Sequence, residues 1–212
     1  WPQNNVYLAD GRRVGGIMTK LPVAKSDGAA TLTIIYPTML DAQNQGRALY
    51  LAPGAGVTAT VEGLRFINGR VTGGNRGGGV YVGSGNVTLR HNLMSGNTAA
   101  YAGGGLYVNG VSAADVVSNT FQNNTASEYG GGVYLESAFN VTLTANLVQS
   151  NSSGRGGGVS LEKSTAWLIS NTVRFNTTIG EGGGIYLESS SAVLRGNVIF
   201  SNTSTLGSGG GL

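Results

Sequence analysis

Several residue types that support structure or catalysis in other proteins are scarce or missing in this sequence. It has no cysteine, one histidine and four prolines, and only 11% of its residues are charged. Without cysteine, no disulfide can hold the fold together, and the redox compartment of the protein stays open. The only histidine, His91, has no serine, cysteine or acid at a recognisable motif spacing. We therefore predict neither a catalytic triad nor a metal site around it.

The charge pattern and the apolar runs argue against two further classes of protein. The net charge of +3 comes from basic residues scattered along the chain. The basic stripe with interleaved aromatic residues that is typical of nucleic-acid binding is missing. No apolar run reaches the roughly 20 residues that a membrane-spanning helix needs. We predict no nucleic-acid partner and no transmembrane segment in these residues.

Glycine, in contrast, is abundant and recurs as a triplet. An apolar, a usually aromatic and another apolar residue follow it, as in the stretch GGGVYL that begins at Gly130. Triplets spaced by 26 or 27 residues begin at Gly77, Gly103, Gly130, Gly156, Gly182 and Gly209. A period of about 20 to 50 residues indicates a solenoid. Each triplet marks a bend with positive φ or a place where another backbone or a ligand comes close.

Apolar residues alternate with polar or aromatic ones inside each repeat, which is typical of β-strands with one buried face. After the triplet at Gly130, for example, Val133 and Leu135 would face inward and Tyr134 outward. An asparagine follows the second such run in every repeat, at Asn92, Asn119, Asn146, Asn171 and Asn197. A second asparagine row follows at Asn97, Asn124, Asn151, Asn176 and Asn202. Asparagines suit bends because they tolerate the left-handed conformation and bond to backbone groups.

These patterns predict an all-β fold, a right-handed parallel β-helix with coils of about 26 residues and three short strands per coil. Residues 1–45 carry no clear repeat, and we predict that they form an N-terminal cap and a first strand. Residues 46–212 are the β-helix repeats. The chain stops at Leu212, one residue into a new core strand, which predicts that the polypeptide continues or that another subunit covers the open coil end.

The glycine triplet and the second asparagine resemble the tandem GGAI and FxxN motifs of the polymorphic outer-membrane protein family. The counterparts are Gly131-Gly132-Val133 and Gly183-Gly184-Ile185 for the first motif, and Phe121-Gln122-Asn123-Asn124 for the second. The resemblance covers residues 46–212. It implies a right-handed parallel β-helix in an exported, cell-surface protein that is used in adhesion.

Three glutamates, Glu136, Glu162 and Glu188, share one position directly after the first strand. Stacked about 5 Å apart, such carboxylates repel one another, which raises their pKa values or recruits a cation. Alternatively they splay into water, where Lys163 helps to neutralise them. Equivalent glutamates share one environment, so they do not supply the separate acid and base of a glycosidase. We predict a surface contact here, and no metal or cofactor.

Four tyrosines form a second outward row on the same strands: Tyr81, Tyr107, Tyr134 and Tyr186. Ser160 interrupts this row, and Trp167 lies outward on the next strand of that coil. Stacked tyrosines could offer a platform to sugar rings or a contact to a partner subunit. The alternative is that they only stabilise a solvated sheet.

A catalytic role has weaker support in the sequence. Arg155, Arg174 and Arg195 could serve a polysaccharide lyase, but the aspartates lie too far apart in the coil register for the calcium cluster of such a site: Asp10, Asp27, Asp41 and Asp115. We therefore predict a secreted or cell-surface structural and adhesion scaffold rather than an enzyme. It would bind protein partners, copies of itself or glycans through flat repeated faces. The alternative is a polysaccharide lyase, a hydrolase or a carbohydrate-binding module, and a groove joining Arg155 or Arg174 to a carboxylate would favour it.

Overall fold

The computed structural model describes the backbone of residues 4–7, 13–17, 30–53, 58–111 and 113–212, and side chains from Met39 onward within these ranges. The described secondary structure consists of β-strands that follow one another around successive coils. Neighbouring coils are offset by 26 or 27 residues, since Val133 lies opposite Leu106 on one side and Val159 on the other. The prediction of an all-β parallel solenoid is confirmed. Within the described residues there is no helix that could cross a membrane.

The first part of the chain forms six strands: β1 (Asn4–Tyr7), β2 (Arg13–Ile17), β3 (Ala30–Asp41), β4 (Leu49–Leu51), β5 (Thr58–Ile67) and β6 (Arg70–Val71). Strand β1 pairs antiparallel with β2 and β3, whereas β3 pairs in parallel with β5. The parallel sheet thus begins with β3, upstream of residue 46. The N-terminal cap over residues 1–45 stays a prediction, and residues 1–3, 8–12 and 18–29 of it lie outside the described residues.

Each later coil has four strands in the same order. The first two such coils contain β7 (Val80–Val82), β8 (Asn86–Arg90), β9 (Leu93–Ser95), β10 (Thr98–Ala99), β11 (Leu106–Asn109), β12 (Ala113–Val117), β13 (Thr120–Gln122) and β14 (Thr125–Ala126). The next two contain β15 (Val133–Glu136), β16 (Val141–Thr144), β17 (Leu147–Gln149), β18 (Ser152–Ser153), β19 (Val159–Glu162), β20 (Thr165–Ile169), β21 (Thr172–Arg174) and β22 (Thr177–Thr178). The last contains β23 (Ile185–Glu188), β24 (Ser191–Arg195), β25 (Val198–Phe200) and β26 (Thr203–Ser204).

The strands stack into three parallel sheets that wrap around the core. The tyrosine sheet has the order β4-β7-β11-β15-β19-β23, and the short sheet has the order β6-β10-β14-β18-β22-β26. The large sheet joins both remaining strands of every coil, because β5 pairs with β8 along one half and with β9 along the other. The expectation of three strands per coil is corrected to four. The strands of the short sheet have only two residues each, which is too few to show an alternating pattern in the sequence.

One hydrophobic core runs through the coils. The inward positions of the tyrosine sheet and the large sheet are buried aliphatic residues, among them Val80, Val108, Leu135 and Leu161. Phe66, in the second half of β5, and Phe121, in β13, fill the same core. These side chains supply the favourable free energy of burial that holds a solenoid together. The predicted inward positions are thus confirmed.

The glycine triplets serve both purposes that the sequence indicated. The first glycine of each triplet has positive φ, for example 56° at Gly130. The third glycine packs against the next coil, because a Cβ atom on Gly105 would lie 2.6 Å from the carbonyl oxygen of Gly132. No other residue could adopt this place without separating the coils.

Candidate functional site

The asparagine ladder lies inside the bend between the two halves of the large sheet. The Asn119 side chain donates to the backbone oxygen of Leu89 at 2.8 Å, and its Oδ1 accepts the backbone N–H of Asn92 at 2.9 Å. Neighbouring asparagines also bond to one another, as between Asn119 Nδ2 and Asn146 Oδ1 at 3.2 Å. Four asparagines of the first row are buried. The prediction of an asparagine ladder is confirmed, and the second row bonds in the same way.

The left-handed residue at each of these bends is the one before the asparagine, not the asparagine itself. His91 has a φ of 56° and Ser118 a φ of 54°. This arrangement turns the following side chain inward, where its amide meets the free backbone groups of the bend. The ladder satisfies buried polar groups, so its role is structural.

The tyrosine row differs from the prediction. The side chains do lie on the outer face of the tyrosine sheet, but Tyr107 is 1% exposed and Tyr134 is fully buried. The expected open platform is therefore wrong at these two positions. Tyr101 and Tyr129, from the bends before the glycine triplets, pack over them as a second aromatic layer.

The buried tyrosines bond to the glutamates of the next coil. Tyr107 donates its hydroxyl hydrogen to Glu136, and Tyr134 donates to Glu162 at 2.5 Å. Burial raises the pKa values of Tyr107 and Tyr134, and the bonds to the carboxylates raise them further. The two rows that the sequence presented as separate ladders thus form one hydrogen-bonded array.

The glutamates do not behave as a repelling stack. The hydrogen bond from Tyr134, assisted by Lys163, lowers the pKa of Glu162. The expectation that mutual repulsion raises the pKa is wrong for this residue, because donors surround its carboxylate. Lys163 Nζ lies 2.9 Å from a carboxylate oxygen of Glu162. This agrees with the alternative prediction, in which Lys163 helps to neutralise the glutamates. Among the described residues no three His, Cys, Asp or Glu side chains come together as a metal site.

Arginine side chains also contact these tyrosines and glutamates. The Arg76 guanidinium lies 4.5 Å from the ring centre of Tyr101 and 3.2 Å from a Glu136 oxygen. Arg47 lies 4.6 Å from the ring centre of Tyr81. Such placements over aromatic faces are cation–π contacts. We call this array of tyrosines, glutamates and arginines on the tyrosine sheet the tyrosine–glutamate face.

The interruption at Ser160 is filled from outside the row. The Tyr129 ring stacks on Tyr134 with ring centres 5.6 Å apart, and lies 6.4 Å from the ring centre of Tyr186. These are the two neighbours of Ser160 in the strand register. Arg155 donates to the Tyr129 hydroxyl at 3.1 Å. The aromatic stack continues across the coil that lacks its tyrosine.

The covering residues are the part of the site that we did not predict from the sequence. Arg76, Tyr129 and Arg155 each stand directly before a glycine triplet, and Tyr101 stands one residue earlier. The aromatic residues and arginines that recur just before the triplets could have indicated a second layer of side chains over the tyrosines. The identity of the residue changes from coil to coil, so no ladder is visible there.

The other candidate residues lie apart from one another. Arg155 pairs with Glu181 at 3.0 Å, and both side chains are close to half exposed. Arg174 bonds to the side-chain oxygen of Gln149 rather than to a carboxylate. His91 lines a shallow pocket of about 370 Å³ together with Arg65, Ser118 and Thr120, with no acid in its lining. Trp167 is 41% exposed, as expected for an outward position.

The comparison with protein families agrees with this architecture. The family model described as "Right handed beta helix region" matches residues 27–205, which span most of the chain. No curated protein and no solved structure matches the chain. With the parallel coils, the buried asparagine ladder and this match together, the chain belongs to the right-handed β-helix family.

Proposed function

We propose that this chain is an extracellular or cell-surface adhesion scaffold, used in the manner of the polymorphic outer-membrane proteins that its repeats resemble. One observation carries the proposal: the outward rows of side chains repeat in register from coil to coil. On the short sheet the outward row begins with the exposed Arg70 and continues with five exposed hydroxyl residues, Thr98, Thr125, Ser152, Thr177 and Thr203. Equal groups at equal spacing on a stiff surface favour multivalent contact, in which many weak bonds add up.

The same face suits binding to another copy of the chain. From Thr98 to Thr203 the row is uncharged, so two such stretches meet without like-charge repulsion or the desolvation of ions. Charged groups lie on the tyrosine–glutamate face, where tyrosines and arginines already satisfy several of them, and on the large sheet, where Arg90 pairs with Glu62. The short sheet is therefore the face that we assign to self-contact.

The alternative function is a polysaccharide-active enzyme. Its strongest support is the ion pair between Arg155 and Glu181. Acid–base chemistry on a polymer needs groups held in a groove with pKa values pushed apart. This pair instead lies on an exposed bend, and Arg174 contacts an amide. These features favour the scaffold over the enzyme.

Charge placed on the short sheet tests the proposal. The double variant Thr125→Lys/Thr177→Lys puts two like charges on outward positions two coils apart. We expect about tenfold weaker self-association, measured by light scattering over a concentration series and by aggregation of bacteria that display the chain. The matched control, Thr120→Lys/Thr172→Lys, places the same charges two coils apart on the large sheet, with the uncharged Leu147 between them, and should associate as wild type does.

Two results would contradict the scaffold. One is a chain that stays monomeric at every concentration and cleaves a uronic-acid polymer. The other is an equal loss of association in both double variants, because this would reflect net charge rather than a specific face.

A further inference from the structure

The interruption of the tyrosine row leaves a slot of the size of one ring. Ser160 occupies the row between Tyr134 and Tyr186, which are separated by two coils. With a coil spacing of about 4.8 Å, their side chains begin about 10 Å apart. Two aromatic faces at this distance leave space for a single ring between them.

The base of this slot carries an unused polar group. Ser160 is fully buried, and its hydroxyl has no hydrogen-bond partner among the described residues. Buried hydroxyl groups in proteins nearly always have a partner, and leaving one unpaired costs free energy. The other unpaired group of this kind, Arg76 Nε, still lies 3.2 Å from a Glu136 oxygen. The Ser160 hydroxyl has no partner of this kind among the described residues.

Tyr129 fills the slot without using that hydroxyl. Its own hydroxyl instead accepts a hydrogen bond from Arg155 at 3.1 Å. The residue belongs to a bend, where a single bridge to Ala102 and another to Arg155 hold its backbone. Its side chain is half-buried and reaches solvent, so it can leave the slot by rotation about its side-chain bonds.

We propose that the slot over Ser160 is a binding site for one neutral pyranose ring, which enters when the Tyr129 side chain turns outward. The C–H faces of a pyranose are apolar with a slight positive charge, and they stack on the negative faces of Tyr134 and Tyr186. The Ser160 hydroxyl then bonds to a sugar hydroxyl. At the rim Arg155 offers donors, and the carboxylates of Glu162 and Glu188 offer acceptors.

The charge at the rim favours a neutral sugar. Glu162, Glu181 and Glu188 contribute three negative charges and Lys163 and Arg155 two positive ones, while the nearby Arg76 and Glu136 pair with each other and cancel. A uronic acid would bring a further carboxylate close to this acidic rim, which is unfavourable. The polar rim also disfavours a purely aromatic ligand, because such a ring would leave the Ser160 hydroxyl unpaired. This site does not depend on adhesion through the short sheet, and either proposal can fail without the other.

Binding of methyl glucoside to the whole chain tests the site, with isothermal titration and saturation-transfer NMR as measurements. We expect Tyr129→Ala to bind about fivefold to tenfold more tightly than wild type, because the competing side chain is removed. Ser160→Tyr restores the row and should weaken binding at least about tenfold, since the new ring blocks the slot. Ser160→Ala keeps the space and removes only the hydroxyl, so it should weaken binding about threefold to tenfold.

Tyr101→Ala is the matched control, because Tyr101 covers an uninterrupted part of the row. It should bind methyl glucoside as wild type does. Near-ultraviolet circular dichroism checks that each variant is folded, and Ser160→Ala gives the answer if Ser160→Tyr does not fold. The proposal is wrong if Tyr129→Ala binds no more tightly than wild type, or if Tyr101→Ala gives the same gain. Tighter binding of glucuronate, or of p-cresol as an aromatic probe, would overturn the assignment to a neutral sugar.

Discussion

The asparagine ladder and the tyrosine row are two columns built by the same repeat, yet they are buried in different ways. Asn119 is enclosed by its own coil wall, where it bonds to the backbone of Leu89 and to the adjacent asparagines. Tyr134 stands on the outside of the wall and is covered by Tyr129 from the bend directly before its own strand. A column inside the wall is thus buried by the repeat itself, whereas a column outside is buried only if other residues cover it.

This difference explains why only one of the columns tolerates an interruption. A missing asparagine would leave backbone groups of the bend unpaired in the core. A missing tyrosine leaves a space that a neighbouring side chain can fill, as Tyr129 does beside Ser160. The two columns should therefore respond differently to substitution and to pH.

The largest effect is expected from the inner column. Asn119→Ala removes two hydrogen bonds that the amide donates and two that it accepts. Because the backbone partners stay buried, we expect the free energy of unfolding to fall by about 4 kcal/mol, as measured by urea denaturation. Asn123→Gly is the control, since Asn123 is exposed with a φ of 54°, and it should change this free energy by less than about 0.5 kcal/mol. A loss below about 1 kcal/mol in Asn119→Ala would show that the ladder is not needed for stability.

A smaller loss is expected in the outer column. Tyr134→Ala removes a buried ring that stacks on Tyr107 and on Tyr129, each with ring centres 5.6 Å apart. The free energy of unfolding should fall by about 3 kcal/mol, because covering residues from the bend can collapse into part of the cavity. Tyr186→Ala, at a half-buried position, should cost about 1 kcal/mol by the same measurement. Equal losses in the two variants would mean that the second aromatic layer adds nothing.

The same contrast separates what the sequence could predict from what it could not. Register follows from the period, so the stacking of Asn119 on Asn146 and of Val133 on Val159 was predictable from spacing alone. The burial of the outward tyrosines depends on covering side chains that do not repeat from coil to coil. Arg76, Ala102, Tyr129 and Arg155 share one place before the triplets, but their differing identities hide it. The hydrogen bond from Tyr134 to Glu162 was also hidden, because it joins residues 28 positions apart in two different rows.

Alkaline pH should weaken the outer column and leave the inner one intact. The raised pKa values of Tyr107 and Tyr134 mean that the folded state holds their phenolic protons more tightly than the unfolded state. Their contribution to stability is complete below the unfolded pKa of about 10 and is lost as pH rises above it. Between about pH 10 and pH 11 we expect the free energy of unfolding to fall by about 2 kcal/mol for both tyrosines together.

Urea denaturation across this range measures the effect, and the ultraviolet absorbance of tyrosinate shows when the groups ionise. Tyr107→Phe/Tyr134→Phe keeps the rings and removes the titrating protons, so its stability should vary less with pH above 10. Asparagine side chains do not ionise. A double variant as sensitive to alkaline pH as wild type would place the cause outside this face.

The smallest effect compares two buried serines. Ser164 lies at the bend after the tyrosine sheet, where its hydroxyl accepts the N–H of Ala138 at 3.1 Å and donates to the oxygen of Glu162 at 2.8 Å. The Ser160 hydroxyl has no hydrogen-bond partner in the part of the chain that the structure describes. We expect Ser164→Ala to lower the free energy of unfolding by about 1 to 2 kcal/mol, whereas Ser160→Ala should leave it unchanged or raise it slightly, since no bond is lost. Thermal unfolding by calorimetry measures both. If Ser160→Ala destabilised the chain as much as Ser164→Ala, the Ser160 hydroxyl would have a partner inside the folded protein, and the slot would have no free group to offer a ligand.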